Sequence, residues 1–207
     1  MSSFIDRAGR NNDDVAFRVE SYYLKAASPV FRCMLQTIKS DDQSAHMPDI
    51  SADTLTLCLK ALIGQVFSAP RWVEAKLALR WCKTYDCSSA AKTILHVAVR
   101  DLDQSLLFEA FTIAARFDDS SSGQRVLQQG WKKAMVAAKY RIPPGLNVLK
   151  NSREWSSAMV KSIPASWLLA LLKAEQEATR SHSDHNNEAS NAFWATLSAL
   201  FNKHLHA

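Results

Sequence analysis

The chain contains 207 residues, of which 47% are hydrophobic and 22% charged, with five glycines and six prolines. This composition is typical of a folded globular protein and excludes the collagen-like and disordered classes. The net charge is +5 at pH 7, and no apolar run approaches the roughly 20 residues that span a bilayer, so we expect no membrane span. Because the first residues lack the apolar segment of a secretory signal, a cytoplasmic or nuclear location is expected.

Strand patterns are confined to the first fifty residues. Short apolar or alternating stretches there are separated by turn-forming residues, as in the sequence GRNNDD. They predict a small N-terminal three-stranded sheet with strands at Phe4–Ile5, Val15–Val19 and His46–Met47.

Helical patterns follow these stretches. Ser28 directly before Pro29 is typical of a helix start, and Ser51 is a second N-cap, whose helix should end at Gly64. The next helix is opened by Pro70. Further helices are predicted at about 89–99, 104–117, 124–138, 164–180 and 190–205.

The helix opened by Pro70 has an unusually broad apolar surface. Val73, Leu77 and Trp81 form one stripe along it, and a second stripe lies beside the first, so we expect this helix to be buried between neighbours. The second stripe consists of Ala78, Cys82 and Tyr85. Strands come first in the chain and helices after them. The predicted fold class is therefore α+β and predominantly helical, with a small N-terminal three-stranded sheet flanked by helices and a C-terminal helical extension.

Residues 13–100 resemble the BTB/POZ family, in particular its divergent fungal-type members. The resemblance lies in three ordered stretches: DDVAFRVESYYLKAASPVFRCML, MPDISADTLTLCLKALIG and ALRWCKTYDCSSAAKTIL. One departure is Glu20, which stands after Val19 where family members often have histidine. The predicted division of the chain is a BTB/POZ-like domain at 1–100, a helical extension at 101–180, and a loop with a C-terminal amphipathic helix at 181–207.

What the resemblance implies is a protein–protein interaction adaptor or scaffold that self-associates, as a homodimer, and recruits partner proteins. The expected self-association surface comprises the N-terminal strand region and the following helix, with Tyr22, Tyr23 and Leu24 as its candidate residues, because they are more apolar than a solvated turn requires. Binding to a cullin scaffold is expected to be weak or absent. In adaptors that bind one, an acid usually stands two positions after a hydrophobic residue, whereas Ile38 is followed by Lys39 and Ser40.

The sequence predicts that the protein is not an enzyme. It contains none of the phosphate-binding or nucleophile motifs G-x-x-x-x-G-K-[ST], G-x-G-x-x-G and G-x-S-x-G, and we expect no cofactor. The acidic pairs Asp41–Asp42 and Asp118–Asp119 stand beside serine-rich turns, where such residues usually cap helices. The pairs His182/His185 and His204/His206 supply no fixed metal site, and the four cysteines are expected to be reduced core thiols.

Basic residues cluster between positions 124 and 161, where eight of them stand against the single acid Glu154. The local net charge of +7 exceeds the +5 of the whole chain. Such clustering suits an acidic partner, a nucleic acid or an anionic lipid, and a solvated helix face is the other interpretation. The alternative function is therefore a nucleic-acid-associated regulator that uses this segment. Its candidate basic patch consists of Lys132, Lys133, Lys139 and Arg141.

Overall fold

A computed structural model describes Val15, Met47 and residues 17–37, 50–137, 155–181 and 189–207. Within these ranges the chain is helical, with two short 3₁₀ turns at Val99–Asp101 and Gln104–Leu106. It forms two compact units, Met1–Ala98 (unit 1) and Val99–Ala207 (unit 2). The helices are α1 (Ser21–Ala27), α2 (Pro29–Thr37), α3 (Ala52–Leu62), α4 (Trp72–Thr84), α5 (Ser88–Ala98), α6 (Leu107–Arg116), α7 (Ser120–Ala137), α8 (Ser157–Ser162), α9 (Ala165–Ser181) and α10 (Ala189–Leu205).

The predicted three-stranded sheet, and with it the α+β class, is wrong for the part of the chain that the structure describes. Arg18 and Met47 are single bridge residues there, and no strand forms. The first predicted strand, Phe4–Ile5, lies outside the described residues, as does His46. The candidate strands have little length in which to pair. The second one is soon followed by helix α1, which begins at Ser21. In the third, Met47 is followed directly by Pro48, which has no N–H to donate to a neighbouring strand.

The break between α1 and α2 is made by Ser28, which is fully buried. Its extended backbone ends α1, with its N–H bonded to the carbonyl of Leu24. Its side-chain Oγ then accepts a hydrogen bond from the Phe31 N–H at 3.1 Å, which confirms the predicted N-cap of α2. The same hydroxyl donates to the carbonyl of Tyr85 at the end of α4. One side chain thus caps a helix and ties α2 to α4.

Helix α3 begins and ends as the sequence predicts. The Oγ of Ser51 accepts a hydrogen bond from the Thr54 N–H at 3.3 Å, and Gly64 adopts a φ of +73° just beyond the last turn. The side chains of Cys58 and Leu59, on the inner face of α3, are buried. Both predicted boundary residues are therefore confirmed.

Helix α4 buries only part of its predicted apolar surface. Of the first stripe, Val73 and Leu77 are exposed and only Trp81 is buried, whereas Ala78 and Cys82 of the second stripe are fully buried as predicted. The helix packs on α3 and α5 through this second side, which also includes the small residue Ala75. Small side chains let helices approach closely, which favours this face over the one with the larger aliphatic residues.

Three aromatic side chains of unit 1 contact one another, and we call Phe31, Trp81 and Tyr85 the aromatic cluster. The rings of Phe31 and Tyr85 stack with centroids 4.9 Å apart, and Trp81 lies 4.8 Å from Tyr85 and 5.6 Å from Phe31. Each such pair contributes about 0.5–1.5 kcal/mol beyond simple burial. The aromatic cluster therefore joins α2 to α4 beside the Ser28 hydrogen bonds.

Unit 2 is built around a second set of rings. Helix α10 packs against α9 and α7, and α6 packs against α7. The rings of Phe111, Trp167 and Phe201 meet at centroid distances of 5.2–5.5 Å, and all three side chains are almost completely buried. The indole N–H of Trp167 donates to the carboxylate of Asp118 at 3.0 Å. Trp167 of α9 is thereby held against the turn between α6 and α7.

Gly123 in α7 provides the space for this tryptophan. A Cβ atom at Gly123 would lie 2.5 Å from Cζ3 and 2.8 Å from Cη2 of Trp167. Real Cβ atoms do not approach that closely, and the ring is enclosed by Phe111 and Phe201, so it has no room to move aside.

Gly123→Ala should therefore destabilise unit 2 by about 1–3 kcal/mol through overpacking, even though alanine favours the helical backbone by about 1 kcal/mol. Ser121→Ala is the matched control, because Ser121 is exposed on the same helix. Thermal unfolding followed by circular dichroism measures both variants. A Gly123→Ala variant as stable as the control would show that Trp167 does not pack against α7 in this way.

Candidate interaction surface

Helix α1 carries the predicted self-association residues, and none of its side chains is fully buried. Tyr22 is 72% exposed and Tyr23 is 42% exposed, whereas Leu24 is half-buried. The two tyrosine rings meet edge to face with centroids 5.7 Å apart. Two adjacent aromatic side chains thus face solvent on a short helix that packs against α2, α3 and α5.

The position of α1 is maintained from its C-terminal end. The guanidinium of Arg32 in α2 donates two hydrogen bonds, at 3.1 and 3.2 Å, to the carbonyl of Lys25 in the last turn of α1. Together with the bond from the Ser28 N–H to Leu24, this satisfies carbonyls that a helix end leaves without partners. The exposed tyrosines are therefore presented on an anchored helix.

Unit 1 also contains a pocket of about 490 Å³, which we call the α3–α4 pocket. One wall is the entry to α3, and the other is one face of α4 and its C-terminal cap. Its lining residues are Met47, Ile50, Ser51, Thr54, Leu77, Arg80, Trp81, Thr84 and Tyr85.

Sequence reasoning missed this pocket. The spacing of its α4 residues, at i, i+3, i+4, i+7 and i+8 from Leu77, marks a single helix face, but that face mixes apolar and polar side chains. The apolar periodicity of α4 predicted which of its side chains turn inward, but not that one of its faces lines a pocket. The opposite wall comes from residues more than twenty positions earlier, which no local pattern connects to α4.

The predicted basic patch falls largely outside the described residues. Lys132 and Lys133 lie on the backbone of α7, which the structure describes to Ala137, but their side chains are not described. Lys139 and Arg141 lie beyond that range. Of the other basic residues in the 124–161 segment, Lys161 is exposed and Arg125 is half-buried.

The acidic pair beside α7 has a structural role. The carboxylate of Asp119 accepts a hydrogen bond from the Ser122 N–H at 3.2 Å, which confirms the expected capping, although Asp119 is buried rather than facing water. Asp118 has a φ of +48° and accepts from Trp167. The pair Asp41–Asp42 lies outside the described residues.

Metal-ligating side chains do not converge in the described ranges. No group of three or more His, Cys, Asp or Glu residues there could hold a metal ion. His204 instead places its Nε2 2.8 Å from Oε1 of Glu177 and links α10 to α9, and His206 is exposed. His182 and His185 lie outside the described residues.

Three of the four cysteines are buried, namely Cys58, Cys82 and Cys87, whereas Cys33 is exposed. The expectation of core thiols is therefore confirmed for three and wrong for Cys33. Burial raises the pKa of Cys58 far above its ordinary value, and the neighbouring Cys82 thiol raises it further. Burial likewise raises the pKa of Cys87 to about 12. Because the thiolate is the reactive form, neither group is activated as a nucleophile.

With a thiol reagent in excess, the folded protein should release one equivalent rapidly, from Cys33, and three more only after unfolding. The raised pKa of Cys87 means that its thiolate stays scarce as the pH rises to 9, so the slow phase should persist there. Cys33→Ser is the control and should abolish the rapid phase. Rapid release of two or more equivalents from the folded protein would contradict the buried positions.

No family model matches this chain, and no curated protein matches it either. Among the described residues, none of the helices is both long and apolar enough to cross a membrane.

Proposed function

We propose that the protein is an interaction adaptor or scaffold that self-associates through α1 and recruits partner proteins. The observation that carries the proposal is the pair Tyr22 and Tyr23, which is exposed on a helix none of whose side chains is fully buried. Its place of action under this proposal is the cytoplasm or the nucleus.

The chemistry of the pair supports an interface. Tyrosine is enriched in protein interfaces because it offers a large rigid surface at low entropic cost and a hydroxyl at its tip. The α1 backbone is anchored by Arg32 and Ser28, so docking would order few additional groups. The ordered resemblance to BTB/POZ stretches in residues 13–100 supports the same class of function.

Self-association through one helix implies a symmetric arrangement. In a two-fold dimer the same surface serves both subunits, so Tyr22 and Tyr23 of one subunit would meet their counterparts in the other. Such contact is mainly apolar, which predicts that a homodimer tolerates salt.

The protein should sediment as a dimer at tens of micromolar, and the double variant Tyr22→Ser, Tyr23→Ser should weaken dimerisation by at least about tenfold. Val66→Ser is the matched control, because Val66 is 97% exposed in the same unit and lies outside α1. Analytical ultracentrifugation at two salt concentrations measures the dissociation constants. A parent protein that is monomeric at this concentration, or a double variant that dimerises like the control, would overturn the proposal.

Cullin recruitment is not part of this proposal. The residues that would decide it, 38–41, lie outside the described ranges, and the acid Asp41 stands one place later than in cullin-binding adaptors. We propose that binding to a cullin scaffold is weak or absent.

A nucleic-acid-associated regulator is the alternative, favoured by the eight basic residues of the 124–161 segment. Under this alternative, binding to duplex nucleic acid should fall steeply with salt, and replacing Lys132, Lys133, Lys139 and Arg141 by glutamate should abolish it without unfolding the protein. Fluorescence anisotropy across a salt series measures this. If the parent protein does not bind duplex nucleic acid, this alternative is wrong and the 124–161 segment is a solvated surface.

A further inference from the structure

Helix α4 keeps two large aliphatic side chains in solvent. Val73 is 66% exposed and Leu77 is 50% exposed, and their spacing of four positions places them side by side on one face of the helix. Leu77 also lines the α3–α4 pocket, together with the apolar residues Met47 and Ile50. Single apolar residues on a surface are ordinary, whereas contiguous ones that lead into a concave pocket are typical of interaction sites.

A row of cations runs along the same helix beside these two residues. Lys76 stands three positions after Val73, Arg80 three positions after Leu77, and Lys83 three positions after Arg80. Positions three and four apart are neighbours on a helix surface, so the cations and the aliphatic side chains are adjacent. The side chains of Arg80 and Lys83 are exposed, and that of Lys76 is half-buried.

The acid of α4 does not offset this row. Glu74 is the one acidic residue in the helix, and its carboxylate pairs with Arg71, whose backbone N–H donates to Oε2 at 3.1 Å. The lining of the α3–α4 pocket likewise includes Arg80 but no aspartate or glutamate. This side of α4 therefore combines apolar surface, a cavity and positive charge, which is complementary to a ligand that is both apolar and acidic.

We propose that this side of α4 docks an acidic amphipathic helix of a partner protein. We call it the α4 surface, and it consists of Val73, Lys76, Leu77, Arg80 and Lys83. An apolar side chain of the partner helix enters the α3–α4 pocket beside Leu77, the next one along contacts Val73, and the acids face the cations. A helix suits this face because side chains three and four positions apart on it match the same spacing on α4.

This inference rests on the proposed adaptor function, for which it names the chemistry of the partner. It shares no residue with the candidate self-association surface on α1, so partner docking and dimerisation are separable by experiment.

Fluorescence anisotropy of the full chain with a labelled, blocked peptide tests the proposal. The acidic peptide has about fifteen residues, enough for partial helix formation, with leucines at i, i+3, i+4 and i+7 and glutamates between them. Its binding should saturate with a dissociation constant below roughly 1 mM. Peptides with lysine in place of each glutamate, or serine in place of each leucine, should bind at least about tenfold more weakly.

A pair of leucine variants locates the apolar contact. Leu77→Ser should weaken binding of the acidic peptide at least about tenfold. Leu169→Ser is the matched control, because Leu169 is 53% exposed on a helix of unit 2, and it should bind like the parent. Both residues are exposed, so neither substitution should unfold the protein, which far-ultraviolet circular dichroism checks.

Two double variants with the same change in net charge locate the cations. Arg80→Glu with Lys83→Glu should weaken binding at least about tenfold, and the loss should shrink as salt is added. Lys161→Glu with Lys173→Glu, at exposed positions of unit 2, should change binding by less than about twofold at 0.15 M salt.

Three outcomes would overturn the docking surface: no saturable binding of the acidic peptide, equal binding by the two leucine variants, or equal losses in the two charge variants. The last would mean attraction by net charge alone. Sedimentation separates this inference from self-association. A monomeric parent that binds the peptide with the expected losses supports the α4 surface and contradicts the α1 dimer. A dimer that Leu77→Ser dissociates would assign the α4 surface to a second copy and overturn the inference.

Discussion

The contact among Phe31, Trp81 and Tyr85 is the constraint on which the architecture of unit 1 depends. Helix α2 is short, and Phe31 is its one fully buried side chain, so its attachment to α4 relies on these rings and on the Ser28 hydroxyl. Helix α1 in turn is anchored to α2 by Arg32. The aromatic contact therefore helps to position the helix that anchors the exposed tyrosines of α1.

The same contact shapes the α3–α4 pocket. Trp81 and Tyr85 belong both to the aromatic cluster and to the pocket wall, so ring packing on one side holds the indole in place on the other. In unit 2, by contrast, the indole N–H of Trp167 is paired with Asp118, and the space around the ring is closed by Gly123 and Phe201. The two tryptophans thus differ in that the indole N–H of Trp167 is paired, whereas that of Trp81 has no hydrogen-bond partner among the described residues.

Sequence patterns predicted the features that depend on a few adjacent residues. The caps at Ser28 and Ser51 and the stop at Gly64 each involve atoms within one helical turn, so their residue types were sufficient. Most helices were placed close to their observed bounds for a similar reason, although the six-residue α8 was not predicted because so short a helix has little periodicity.

Features that depend on distant partners were not predicted. Periodicity predicted a broad inward surface on α4 that includes both Leu77 and Ala78, and packing on α3 and α5 decides that the Ala78 side is buried and Leu77 is not. The predicted sheet failed because alternation over a few residues does not supply a partner strand. The α3–α4 pocket likewise requires two segments that are remote in sequence. One sequence feature alone suggested the exposure of Tyr22, namely that an apolar residue is unusual in a short polar stretch.

The coupling between Phe31 and Tyr85 tests the central claim most directly. Hydrogen exchange at α4 amides gives the free energy of opening for the parent, Phe31→Leu, Tyr85→Leu and the double variant. If the stacked rings join α2 to α4, the two substitutions should be non-additive by about 0.5–1.5 kcal/mol. Effects that add to within roughly 0.3 kcal/mol would contradict the contact, and with it the positioning of α1 and of the pocket.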